Sequence, residues 1–201
     1  PRARSPRGLD STVLADWYFD RGPAVGLKGD YRAPDGNSQA NFFAYTVPDD
    51  YGRDVLSSGA KRGIDNEFRG IALGDYSVKL DDKWALQLEG SIISDENFVD
   101  AFFRPLAYSG REITNSAYIK RQTDHTLFTV LAKGEFIDFT PNQYLLESQG
   151  FNVDKLPEAG YYRLADDLLD QSAPGALVWS QEYRVGRMNF HFTEPTADEL
   201  G

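Results

Sequence analysis

At 201 residues the chain has the length of one domain, and its net charge of -10 argues against nucleic acid as a partner, because phosphate binding needs clustered Lys and Arg. No stretch approaches the roughly 18 consecutive apolar residues of a transmembrane helix, which leaves membrane-spanning strands open because their signal per segment is weaker. The absence of Cys excludes disulfides and thiolate metal ligands within the sequence.

Two-residue periodicity recurs along most of the chain. Side chains of a strand point alternately to the two faces of a sheet, so apolar/polar alternation marks a strand with one apolar face. Residues 11–19 set Val13, Ala15, Trp17 and Phe19 on one face. Asp20-Arg21-Gly22-Pro23 reads as a turn, and Val25, Leu27, Gly29 and Tyr31 then oppose Gly26, Lys28 and Asp30. Pro34-Asp35-Gly36-Asn37 is a hairpin signal, since Asp-Gly and Gly-Asn tolerate the positive φ of such turns. Residues 39–47 follow as a third strand.

Over residues 48–65 the pattern lapses into a polar, Gly-containing stretch too long for a tight hairpin. Phe68, Gly70, Ala72, Gly74, Tyr76, Val78 and Leu80 then alternate with Glu67, Arg69, Asp75, Ser77 and Lys79. Asp81-Asp82-Lys83 closes a short hairpin into residues 84–93. There Trp84, Leu86, Leu88, Gly90 and Ile92 oppose Ala85, Gln87, Glu89 and Ser91. At ten residues this strand is long enough to cross a bilayer at a tilt.

Residues 113–122, a Thr123-Asp124-His125 turn and residues 126–136 give a further hairpin. A long loop is expected over 138–154, and Lys155-Leu156-Pro157 opens another strand, Pro being tolerated at a strand's beginning. Residues 164–169 have the makings of a short turn. The final strand, 176–192, changes phase near Gly186, which suggests a bulge there. No helix-period segment stands out.

The expectation is an all-β, antiparallel, up-and-down sheet in a single domain over 1–201, with the long connections gathered at one end as in outer-membrane barrels. The opening Pro-Arg-Ala-Arg reads as the start of a segment from a longer precursor, so the lack of a signal peptide says nothing about secretion. Trp17, Trp84 and Trp179 fall near strand ends, where a membrane girdle would put them and where a soluble sandwich core would serve as well.

Several motifs in order carry a resemblance. They are Asp49-Asp50-Tyr51-Gly52-Arg53-Asp54, Asp81-Asp82-Lys83-Trp84, the run from Ser94 through Asp95, Glu96, Asn97, Phe98, Val99 and Asp100 to Phe102, then Tyr118-Ile119-Lys120-Arg121-Gln122, and Lys155-Leu156-Pro157-Glu158. Over residues 49–192 this succession resembles the carboxy-terminal barrel of the LptD (organic solvent tolerance) family of lipopolysaccharide-assembly proteins. The resemblance implies a segment of an outer-membrane barrel wall that takes part in lipopolysaccharide transport and is no enzyme. Its implied partners are lipopolysaccharide, outer-membrane lipid, a plug lipoprotein and periplasmic bridge proteins.

Tyr51, Gly52, Arg53, Asp54, Asp95, Asn97, Phe98, Asp100 and Phe102 are the family-motif residues. Asp95, Asn97 and Asp100 could ligate a hard cation, but no bidentate Glu follows at the spacing of a known calcium loop. The weightier reading is a loop whose side chains bond backbone N–H groups while the aromatics pin it to the sheet. The pairs Asp49-Asp50, Asp81-Asp82 and Asp166-Asp167 sit beside turns and do not suggest catalysis. Neither His125 nor His191 has a nucleophile or carboxylate pattern around it. No cofactor or metal is expected.

In the barrel reading Lys79, Gln87, Glu89, Lys133 and Glu135 line a polar lumen, while Val78, Leu86, Leu88, Phe128 and Val130 meet lipid. A soluble antiparallel binding module, of carbohydrate-binding or adhesion type, would alternate in the same way.

Overall fold

The computed structural model describes residues 7–57, 59, 61–64, 67–107, 113–135, 151–168 and 177–192. Its strands are β1 (Leu9–Tyr18), β2 (Gly22–Arg32), β3 (Ser38–Asp50), β4 (Arg53–Val55), β5 (Lys61–Gly63), β6 (Glu67–Lys79), β7 (Trp84–Ile93), β8 (Asn115–Gln122), β9 (Thr126–Gly134), β10 (Phe151–Asp167) and β11 (Val178–Phe192). Two short helices, α1 (Phe98–Phe102) and α2 (Arg104–Ala107), lie between β7 and β8.

Nine strands form one sheet in the order β1-β2-β3-β6-β7-β8-β9-β10-β11, and every pairing is antiparallel. The expected up-and-down sheet is therefore present. β4 and β5 form a separate two-stranded hairpin. One end of the sheet carries the connections 33–37, 80–83 and 123–125. The other carries 51–66, 94–114 and 135–150, and the tight turn from Tyr18 to Gly22 is the exception there.

The turns follow their sequence chemistry. Asp35 accepts the Asn37 backbone N–H at 3.0 Å, and Gly36 takes φ 72°. Asp81 accepts the backbone N–H groups of Lys83 and Trp84, both at 2.7 Å. These bonds hold its carboxyl below the usual range.

Four expectations need correction. The lapse at 48–65 contains the end of β3 and the β4–β5 hairpin. Residues 98–107 are helical, in two pieces too short to show a period. The loop before β10 ends sooner, because pairing starts at Phe151, and β10 runs to Asp167 where a turn was expected. Finally, the bulge lies in β10 and not at Gly186. Leu156 and Pro157 together span a single position of β9 and of β11, between Lys155 and Glu158. Pro has no N–H to give a ladder, and a bulge excuses it. Gly186 faces this bulge, where an added Cβ would stand 3.1 Å from the Glu158 Cα. The phase change is real, but its cause sits across the ladder.

Residues opposite one another in the ladder share a face. One transverse row reads Ser38, Val78, Leu86, Ile119, Val130, Ala159 and Val185. The neighbouring face carries the row Asp10, Asp30, Asn41, Asp75, Glu89, Ser116, Lys133 and Lys155. The alternation seen in single strands is thus coherent across the whole sheet, one face apolar and the other polar.

Burial does not follow that division in the usual way. The apolar face is open, with Val13 76%, Val185 73%, Phe68 70% and Trp17 64% exposed. The buried core is on the polar face at the long-loop end. There Ala24, Tyr45, Val47, Ile71, Leu73 and Ile93 of the sheet meet Phe98, Val99 and Ile113.

Candidate functional site

The site grows from one arginine. On β6 the polar-face positions run Arg69, Ile71, Leu73, so a guanidinium enters the same buried layer as two aliphatic side chains. Buried without partners, that charge would cost several kcal/mol. It is fully partnered. Arg69 Nη1 donates to Asp50 Oδ2 at 2.9 Å and to Asp54 Oδ1 at 3.0 Å. Nη2 donates to Asp54 Oδ2 at 3.0 Å and to Asp95 Oδ1 at 2.7 Å. Nε donates to Asp95 Oδ2 at 2.9 Å. A guanidinium has five N–H groups in a rigid fork, and here each has a carboxylate.

Arg21, from the β1–β2 turn, completes the node. Its Nη1 reaches Asp50 Oδ2 at 3.0 Å, its Nη2 lies 2.7 Å from Asp54 Oδ1, and the same nitrogen donates to the Arg53 carbonyl at 2.6 Å. Phe102 lies against both cations, 4.7 Å from the Arg21 guanidinium carbon and 5.5 Å from that of Arg69. Phe98 is 5.6 Å from the latter. Two cations between three carboxylates, with aromatic faces beside them, make a compact ionic core that ties three connections together.

Most of the remaining acceptors are taken locally, Asp100 Oδ1 being the exception with Arg104 Nε no nearer than 4.0 Å. Asp95 accepts from Ser94 Oγ at 2.8 Å and from the Asn97 backbone N–H at 3.1 Å. Burial pushes its pKa upward, but Arg69 outweighs that and holds the carboxyl below the usual range. Asp50 Oδ1 accepts the Gly52 N–H at 3.1 Å. Asp100 Oδ2 accepts both the backbone N–H and the hydroxyl of Ser57, at 2.8 and 2.9 Å, which ties α1 to the segment after β4. Arg104 donates to the Val55 carbonyl at 2.6 Å.

The motif residues therefore meet, though not all in the same way. Asp54, Asp95, Phe98 and Phe102 surround Arg69, and Asp100 anchors beside them. Gly52 serves by lacking a side chain, since a Cβ would come 2.4 Å from Arg21 Cγ and 2.7 Å from the Asp20 carbonyl oxygen. Tyr51 is half exposed with its ring beside Gly22, and Arg53 contributes its carbonyl. Asn97 stands at the start of α1 without a side-chain capping bond. Loop anchoring is the role this geometry gives the Asp95/Asn97/Asp100 cluster, with arginine N–H groups occupying the Asp95 oxygens.

Sequence reasoning missed Arg21, Arg69 and the part played by Asp50. The available signal was a charge at Arg69 in line with Ile71 and Leu73, where strict alternation would place it in an apolar layer. Lys79, Gln87, Glu89 and Lys133 lie on the polar face as their parity requires, and Glu135 directly follows β9 with its N–H donating to Asp154 Oδ1 at 3.3 Å.

The chain matches no protein-family model and no curated protein.

Proposed function

We propose that this chain forms part of the wall of an outer-membrane β-barrel that takes part in delivering lipopolysaccharide to the outer leaflet, in the manner of the LptD family. The observation that carries the membrane reading is the inverted burial of the sheet. A soluble sheet hides its apolar face and wets its polar one. Here the apolar face carries exposed large apolar side chains on β1, β2, β6, β7, β9 and β11 and is half-buried along β3, while the sole core of the described residues lies on the polar side. An apolar surface of this extent calls for a cover, and lipid supplies one without any partner chain.

The strand positions on the apolar face support this reading in detail. They hold no carboxylate in β1, β2, β3, β6, β7, β8 or β9, and Arg121 beside the 123–125 turn is their one cation. A long cationic side chain near the rim can reach the headgroups. Trp17, Trp84 and Trp179 stand on this face at strand ends, Trp17 at the long-loop end and the other two at the opposite end. That is the disposition of two interfacial girdles.

The lipopolysaccharide part of the proposal rests on the motif succession, supported by the convergence of its separate segments on one arginine. In this mechanism the polar face, with Lys79, Gln87, Glu89 and Lys133, passes the saccharide, while acyl chains leave sideways into the leaflet. The plug lipoprotein and the periplasmic bridge belong to the same proposal.

Tryptophan fluorescence of the chain folded in vesicles tests the membrane reading. Lipids brominated high on the acyl chain should quench all three tryptophans more strongly than lipids brominated near the chain terminus. Folding in water without detergent, with no quenching by either lipid, would favour a soluble binding module.

A further inference from the structure

We propose that α1 and α2 form a latched seal across the polar face at the long-loop end, keeping water-borne solutes from running the length of that face. The inference rests on the reading of the polar face as a conduit wall and assigns a barrier function to one stretch of it.

Exposure changes abruptly along single strands. On the polar face of β3, Gln39 and Asn41 are exposed, Phe43 is half-buried, and Tyr45 and Val47 are buried. On β6 the same face passes from exposed Lys79 through half-buried Ser77 and Asp75 to buried Leu73, Ile71 and Arg69. Water therefore reaches the turn end of this face and stops near Phe43 and Leu73. What stops it is aromatic. Phe103 meets Tyr45 at 5.0 Å and Phe43 at 5.3 Å between ring centroids, both edge-on, and Phe102 meets Tyr18 at 5.4 Å.

These rings arrive from a connection between β7 and β8 and have no ladder of their own to hold them. The hold is ionic. Asp95, at the root of the segment, is gripped by two nitrogens of Arg69, and Asp100, within α1, is bonded twice by Ser57. Arg69 and Asp50 belong to the sheet, while Asp54 and Ser57 belong to the neighbouring connection. Lifting the rings would strip the Asp95 carboxylate from a buried cation, so the segment is a fixed closure and Arg69 is its latch.

Because the chain has no Cys, single-thiol variants report cleanly. Leu73→Cys lies beneath the seal, and Ser77→Cys lies four residues along the same strand and face. In the folded chain a charged, membrane-impermeant maleimide should label Leu73→Cys at least about tenfold more slowly than Ser77→Cys, since the buried thiol waits on local opening. Adding Arg69→Lys keeps the charge but removes the planar fork. Labelling at position 73 should then rise toward the position 77 rate, with the strand signal in circular dichroism unchanged. Should Arg69→Lys lose that signal, Asp95→Asn decides in the same assay, because it releases one arm and leaves Asp50 and Asp54 in place. Equal labelling of the two thiols in the parent would overturn the seal, and continued protection of position 73 in the latch variant would overturn the latch. The pattern is the same in detergent and in vesicles, so a failure of the membrane reading leaves it standing.

Discussion

Arg69 sits where a β-sheet least tolerates an isolated charge, and its five N–H bonds to three carboxylates are what make the position tenable. Removing the cation leaves Asp95 without its arginine and Asp50 and Asp54 sharing Arg21 alone. Breaking such a buried set from one side costs about 3–5 kcal/mol, far more than deleting an exposed ion pair. Arg69→Ala should therefore lower the urea midpoint of the folded chain, whereas Arg184→Ala, whose partner Glu182 is exposed, should not move it measurably. The same node sets an acid limit. Asp95 is held below its unfolded value, so its contribution is complete above about pH 4 and is lost as pH falls through the lower folded-state value. Melting temperature should drop on acidification below about pH 4, and Asp95→Asn should flatten that slope. Asp54, Asp95 and Phe98 were visible in the sequence as members of motifs. The arginine joining them was not, because its partners lie 15, 19 and 26 residues away and its one local mark is a charge in line with Ile71 and Leu73.

The hairpins were the easiest elements to read, since a tight turn is settled by its own few residues. Gly36 shows why. Its φ is 72°, yet an added Cβ would meet nothing within 4 Å. Any cost of a side chain there is backbone strain alone, about 1–2 kcal/mol for the left-handed region. Gly36→Val should destabilise the β2–β3 hairpin by that amount in urea titration, and a neutral outcome would mean that the turn changes type. The elements that escaped notice depend on neighbours. α1 and α2 are five and four residues long, too short for any period, and they are held by polar bonds from Asp95 and Asp100 to residues distant in the sequence, with the rings packed on the sheet. The β10 bulge registers in the sequence only through Gly186 on the opposite strand. Pro157, read as a strand opener, is in fact what the bulge accommodates.

For the molecule as a whole, the alternation legible in single strands turned out to be coherent across nine of them, and that coherence is the stronger fact. A sheet whose outward face holds no carboxylate in its strands from β1 through β9, with its core on the other side, is built for two different surroundings. Which surroundings these are could not be read from periodicity, since a soluble sheet alternates too. The structure adds the exposure. Leu88 is 41% exposed midway along β7, with Tyr76 and Ala117 beside it, and Gln87 looks onto the polar face between Ser77 and Tyr118. The direct test compares Leu88→Arg with Gln87→Arg by the folded yield of each in lipid vesicles. A charge near the midplane of a lipid-facing wall costs about 2–4 kcal/mol, so Leu88→Arg should fold poorly while Gln87→Arg folds like the parent. Equal yields for the two would contradict the account, because neither face would then be meeting lipid.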